Sequence, residues 1–401
     1  MAGPHLYIAI PVINELAYLP ATLESIAKQS FKGSFSVIIC VNQPEEWWQD
    51  PEKVAVCENN QQLIQFLKQY SGFRITILDY SSPGKGWIGK KHGVGWARKV
   101  LFDHIMQIAD DQDIVISLDA DTQFKEHYFQ SIYERFTQEG VHALSVPYYH
   151  PLGEDERANR AILRYEIYMR NYLLNLFDID SPYSFTAVGS AIAVLVGSLR
   201  KIGGITPMKS GEDFYLLQKL QKMAPISNWN SESVYPASRF SSRVYFGTGP
   251  AMIKGDQGDW SSYPIYPQKL FEEVAFCYRA LPQLWERDIV SPLISFLQKQ
   301  YKTEDLWGPL RKNSKNLDQF KRAFHEKVDG LRILQFLKLQ FAEIGGDETH
   351  YLRQNMRYLF GDEAHFMDQF ECRLDEMSVE QLAQIRDFMY KKELKIRFIK
   401  K

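Results

Sequence analysis

A short apolar run, I-V-I-S-L-D-A-D at residues 114–121, ends in two carboxylates, Asp119 and Asp121, two positions apart. In an extended segment side chains alternate faces, so the pair is expected to point the same way from the strand's C-terminal tip. Oxygen donors so arranged suit a hard divalent cation such as Mg2+ or Mn2+, and a metal held by one or two carboxylates keeps open positions for the phosphates of a substrate. An isolated D-x-D more often reads as a helix cap beside a solvated acid. Position favours the metal here, because ligand sites in open α/β sheets lie at the carboxyl ends of strands.

The surrounding pattern supplies such a sheet. Residues 6–10 read as a strand, followed by a helix with Leu16, Leu19, Leu23 and Ile26 on one stripe. A second strand at 35–41 precedes a helical pattern at 54–66, and a third at 74–79 precedes a helix marked by Ala97, Leu101, Ile105 and Ile108. The Asp119 strand is the fourth. Alternating strands and helices imply a mainly parallel sheet flanked by helices. Residues 157–177 form an amphipathic helix rich in Tyr, Arg and Asn. From about residue 268 the strands stop, and the rest is helix-periodic with breaks near Pro282, Pro309 and Gly345-Gly346.

Composition narrows the function classes. The chain has 401 residues, 45% hydrophobic and 24% charged, enough for two domains of ordinary globular type. A net charge of -2 leaves no electrostatic footprint for nucleic acid. Cys40, Cys57, Cys277 and Cys372 have no C-x-x-C spacing and read as buried thiols of a reducing compartment. The apolar runs at 6–13 and 185–196 are too short to cross a membrane, so a cytoplasmic protein is expected.

Further chemistry-bearing residues stand at the other strand ends. The first strand runs into Pro11-Val12-Ile13-Asn14-Glu15, with Pro11 expected to end the ladder and Asn14-Glu15 to open the next helix. Gly84, Gly86 and Gly89 spell G-x-G-x-x-G, but after the third strand rather than the first, against a dinucleotide fingerprint. The same stretch mimics a P-loop, except that Lys91 replaces the Ser/Thr that binds Mg2+. Ser210-Gly211-Glu212-Asp213 reads as a cap with two acids in a helix's first turn. Arg239 and Arg243 flank a loop that ends in Gly247 and Gly249, either a plain surface loop or an anion clamp on a glycine hinge.

Taken together, the strand followed by P-V-x-N-E, the helix L-x-x-T-L-E-S-I and a later strand ending in D-x-D resemble the family 2 glycosyltransferases of the GT-A fold, over about residues 5–250. The resemblance implies an α/β fold with a Rossmann-like mixed, mainly parallel sheet, followed by a C-terminal helical region, with domains at 1–260 and 261–401. It implies that Pro11, Asn14 and Glu15 contact the nucleotide. Asn42 stands where the family usually has an acidic pair reading the base, so the identity of the base is open. Lys85 and the neighbouring backbone N–H groups would meet the donor's diphosphate or fix its base-side loop; Arg239 and Arg243, by their own chemistry, could clamp the diphosphate or an anionic acceptor. Asp119 and Asp121 would hold Mn2+ or Mg2+, Asp119 also touching the donor. Gly189-Ser190 would lie beneath the acceptor, Asp213 would be the catalytic base and Glu212 would position it. The family often has another acid two residues later, where this chain has Tyr215.

The function so implied is a metal-dependent, inverting glycosyltransferase with a nucleotide-diphosphate sugar donor, a UDP-sugar being favoured, and a glycan or lipid-linked acceptor in surface or envelope glycan synthesis. Q-x-x-R-W, the motif of processive synthases, is absent, so a non-processive enzyme is expected. The alternatives are a degenerate nucleotide-sugar-binding protein and a sugar-phosphate nucleotidyltransferase. The latter would carry G-x-G-T-R after the first strand, where Pro11-Val12-Ile13-Asn14 stands. Residues 391–401 carry six basic residues against Glu393, either a solvated tail or a peripheral contact with anionic lipid.

Overall fold

Strands that read as unbroken apolar runs pair side by side, which buries them on both faces. β1 (Leu6–Val12) is buried at every position and pairs in parallel with β2 (Phe35–Asn42) on one side and β4 (Ile114–Ser117) on the other. β2 continues in parallel to β3 (Ile75–Tyr80). The crossovers carry helices α1 (Leu19–Ala27), α2 (Val54–Gln69) and α3 (Val94–Ile108). After β3 the chain returns to the far side of β1, so β1 and β4 flank the point where strand order reverses, and a crevice is expected outside their carboxyl ends.

This computed structural model describes residues 3–208, 211–241 and 247–400. They form two compact units, Met1–Ile162 with Phe185–Asp259 and Leu394–Lys401, and Leu163–Ser184 with Trp260–Glu393. In the first unit the sheet is completed antiparallel by β6 (Ala143–Ser145) and β7 (Ile192–Leu195), in the order β3-β2-β1-β4-β7-β6. A small antiparallel ribbon joins β5 (Thr122–Phe124), just past the D-x-D, to β8 (Val234–Pro236). The mixed, mainly parallel sheet with flanking helices is the expected GT-A architecture.

Three local expectations change. β1 does not stop at Pro11 but runs to Val12, because Pro11 lies past the last residue paired with β4 and its missing N–H removes no ladder bond. β4 ends at Ser117, so Asp119 and Asp121 sit in the following turn, closed by Thr122 N–H donating to the Asp119 carbonyl at 3.2 Å. Strand alternation therefore does not govern them. α1 begins at Leu19, not at Asn14-Glu15, and Asn14 adopts a left-handed conformation with φ 56° while its N–H donates to Asn60 Oδ1 at 2.8 Å.

The second unit is helical around buried aromatic and aliphatic side chains such as Tyr266, Phe271, Trp307, Phe324 and Phe336. It also encloses a charged network. Arg170 on the helix Glu156–Asp178 donates to Glu166 at 2.8 Å and to Glu393 on the helix Val379–Ile399, and Arg386 reaches Glu166 at 3.5 Å. Glu166, Arg170 and Glu393 are fully buried. Removing one partner strands a charge away from water, so Glu393→Ala is expected to lower stability by about 3–5 kcal/mol in urea denaturation. A loss below about 1 kcal/mol would show the network to be solvated.

The basic tail is not simply a solvated strip. Arg397 is fully buried in the first unit, donating to the Ser145 and Asn228 carbonyls at 3.0 and 2.7 Å. Lys392 pairs with Glu363, and Phe398 packs on Trp229 at 5.1 Å between ring centroids. Among the described residues no helix is long and apolar enough to cross a membrane. All four cysteines are free thiols, and Cys40, Cys57 and Cys277 are buried.

Candidate active site

Two arginines organise the carboxyl edge of the sheet. The first, Arg239, comes three residues after β8, and the β5–β8 ribbon brings it back to the D-x-D turn, where Ala237 N–H donates to the Asp121 carbonyl at 3.2 Å. Its Nε and Nη2 donate to Asp121 Oδ2 at 2.9 and 2.6 Å, and Nη2 also donates to both Glu15 oxygens at 2.7 and 2.8 Å. The guanidinium lies on the Tyr18 ring, 3.8 Å from its centroid. Burial pushes the Asp121 carboxyl above the usual carboxylate range, with Arg239 pulling it back and Asp119 adding to the rise.

The second arginine was not singled out in the sequence. Arg98 on α3 is 4% exposed and donates through Nε to Glu212 Oε1 at 2.8 Å, through Nη1 to the Gly189 carbonyl at 3.0 Å and to Ser117 Oγ, and through Nη2 to Asp119. Its signal was available: it occupies the buried stripe of α3 with Ala97, Leu101 and Ile105, where an arginine is costly unless paired. Gly189 explains itself against the same side chain. A Cβ there would come within 2.2 Å of Arg98 Nη2, so this glycine makes room for a guanidinium rather than for a sugar. Gly189→Ala is therefore expected to destabilise the protein by about 1–3 kcal/mol, read as an early melting transition. An unchanged transition would mean that Arg98 is not fixed there.

Asp213 stands in the first turn of the helix Glu212–Met223, next to the buried Glu212. The helix N-cap is Gly211 in a left-handed conformation with no side-chain cap bond, and Ser210 lies outside the described residues. Among the described residues, Asp213 accepts a local bond from Phe214 N–H in the first turn of its own helix at 2.7 Å. Burial and the neighbouring Glu212 charge push its carboxyl up to about 7, against the opposing pull of Arg98. A carboxylate in that range is poised for proton transfer near neutral pH.

Asp119 and Asp121 thus each face a different arginine. The structure gathers Glu15, Asp121 and Arg239 in one group and Asp119, Glu212 and Arg98 in another, with Asp119 close enough to raise both Asp121 and Asp213. Among the described residues no three His, Cys, Asp or Glu side chains meet in a metal-binding group. Among the described residues the edge nevertheless carries five carboxylates against two guanidiniums, and more than a third of the Asp119 side chain is exposed. Oxygen donors with surplus negative charge fit a hard divalent cation.

Lys85 and Asn42 stand elsewhere. Lys85 pairs with Asp79 at 3.1 Å at the end of β3, three strand spacings or roughly 14 Å from β4. The backbone donors expected to meet a diphosphate are occupied by a side chain: Gly84 and Gly86 N–H donate to Glu45 at 2.8 and 2.7 Å. Asn42 is 2% exposed, donates to the Val12 carbonyl at 2.9 Å and accepts from the Trp87 indole at 3.2 Å. It braces the loops rather than presenting an edge to a base. Pro11 is buried within β1, Asn14 shapes the loop after it, and Arg243 lies outside the described residues.

No curated protein matches the chain. Solved structures similar to it include Staphylococcus aureus TarS residues 1-349 in complex with UDP-GlcNAc, at 13% identity and a TM-score of 0.41 over 88% of this chain and 91% of that one. Another is the mannosyltransferase PcManGT from Pyrobaculum calidifontis in complex with GDP-Man and Mn2+, at 10% identity and a TM-score of 0.41 over 98% and 88% of the two chains. The profile of the family described as Glycosyltransferase like family 2 matches residues 4–217, more than half of the sequence. The chain belongs to that family and is a glycosyltransferase.

Proposed function

We propose that the enzyme is a metal-dependent, inverting, non-processive transferase moving a sugar from a nucleoside diphosphate donor to a hydroxyl acceptor. The observation that carries this reading is the placement of Asp213, in a helix's first turn beside Glu212, which Arg98 joins to Asp119 of the D-x-D in a family 2 sheet; burial, which raises its carboxyl, suits it to take a proton. Asp213 takes the proton of the acceptor hydroxyl as that oxygen attacks the anomeric carbon in line. The bond from that carbon to the diphosphate breaks, and its electron pair leaves on the phosphate oxygen. A single displacement needs one base and inverts the anomeric centre.

Glu15, with the loop 11–15, would contact the nucleotide, and Lys85, beyond β3, would reach its base side. Asp121 and Asp119 are the residues to hold Mn2+ or Mg2+, which would offset the negative charge growing on the leaving diphosphate. Arg239 can pair with the same phosphates once released from Asp121, since a guanidinium matches them bidentately. A UDP-sugar is the favoured donor and a glycan or lipid-linked hydroxyl the favoured acceptor. The test is nucleoside diphosphate release from a panel of UDP-, GDP- and dTDP-sugars with and without Mn2+. Release dependent on Mn2+ for one base is expected, and no release from any donor would overturn the reading.

A further inference from the structure

We propose that Arg98 is a positioning residue for glycosyl transfer: one buried guanidinium ties Glu212, beside the base, to Asp119 of the D-x-D, and holds the two halves of the site in register. The inference rests on the reading of Asp213 as base. Its geometric support is independent of that reading.

Glu212 begins the helix Glu212–Met223, Asp119 follows β4, and the Gly189 carbonyl precedes β7, so three separate segments meet on one side chain from a fourth, α3. The Ser117 hydroxyl adds a contact at the last residue of β4. A guanidinium is planar and presents its donors in a fixed fork, so one orientation satisfies all four partners only while the segments keep their spacing. Gly189 leaves room for that fork and for no Cβ. The site is built for an arginine rather than merely tolerant of one.

The consequence is mechanical and electrostatic. If Glu212 is fixed, its neighbour Asp213 has a fixed place relative to the donor held at Asp119 and Asp121. A displacement of about 1 Å at a reacting group can lower turnover about 100-fold. Among the described residues the charged groups acting on Asp213 are Glu212, Arg98 and Asp119, and removing each moves its titration in a known direction. Loss of the Arg98 charge favours the protonated acid and moves the rise of kcat to higher pH. Loss of the Glu212 charge moves it to lower pH.

The experiment uses full-length Arg98→Lys, Arg98→Gln and Glu212→Gln, measuring melting temperature, Mn2+-dependent nucleoside diphosphate affinity, and kcat and donor KM across pH. Arg98→Lys keeps the charge but cannot reach all four partners. It is expected to lose about 100-fold in kcat with donor KM little changed. Arg98→Gln and Glu212→Gln are expected to shift the rise of kcat in opposite directions, by about one pH unit or more. A purely structural arginine predicts lower melting temperatures with kcat per folded molecule and both pH profiles unchanged, and that result overturns the proposal. Should the Arg98 variants fail to fold, the direction of the Glu212→Gln shift decides, an unmoved profile counting against it. Failure of the base itself is distinguishable: Asp213→Asn would then transfer sugar normally.

Discussion

Asp213→Asn is expected to bind Mn2+ and nucleoside diphosphate as the wild type does, yet to transfer sugar about 100- to 10,000-fold more slowly, the usual contribution of a general base. The asparagine keeps the shape and the local bond to Phe214 but cannot take a proton. Stability should move the other way. Because the folded carboxyl titrates at about 7 against 3.8 for an ordinary aspartate, its contribution to stability is full below about 3.8 and is lost as pH rises through about 7. The asparagine variant should therefore melt above the wild type at pH 8 and lose that advantage at acid pH. Lower melting at pH 8 together with wild-type turnover would return Asp213 to a structural role. In the wild type, kcat should rise with pH on a limb near 7.

The second large effect concerns the metal edge. A nucleoside diphosphate at about 100 times its dissociation constant adds about 2.7 kcal/mol to stability, a shift of a few degrees for a protein of this size. Asp121→Asn should abolish the Mn2+-dependent part of that shift. Arg239→Ala should do something less obvious. Since Arg239 sits on Asp121 and Glu15, its removal takes away the cation that competes for those oxygens. Mn2+ without nucleotide should then bind more tightly than in the wild type, measured as loss of the free Mn2+ signal in electron paramagnetic resonance. Equal affinity in both proteins would mean that the arginine and the metal do not share the site.

The parallel part of the sheet was legible because β1, β2 and β4 are covered on both faces and read as continuous apolar runs. β6 and β7 were not, being only 3 and 4 residues long and set among small residues that also suit a ligand loop. The D-x-D was visible as a pair of acids, but its geometry was not, since the strand stops at Ser117 and a turn sends the two carboxylates to different arginines. Pairings of this kind are long-range. Arg239 meets Asp121 across 118 positions and Arg98 meets Glu212 across 114, and no local periodicity encodes either. Glu45 filling the glycine loop is the same lesson, because the loop's free donors could be read from Gly84 and Gly86 but their occupant could not.

The most direct test of a single displacement with Asp213 as base is the configuration of the sugar as it is first released. With the preferred donor, Mn2+ and water as acceptor, proton NMR of the product before mutarotation reads the anomer from its coupling constant. The inverted anomer is the expected result, formed by the wild type and suppressed in Asp213→Asn. Release of the retained anomer would contradict the mechanism, because one base acting on one incoming hydroxyl cannot produce it.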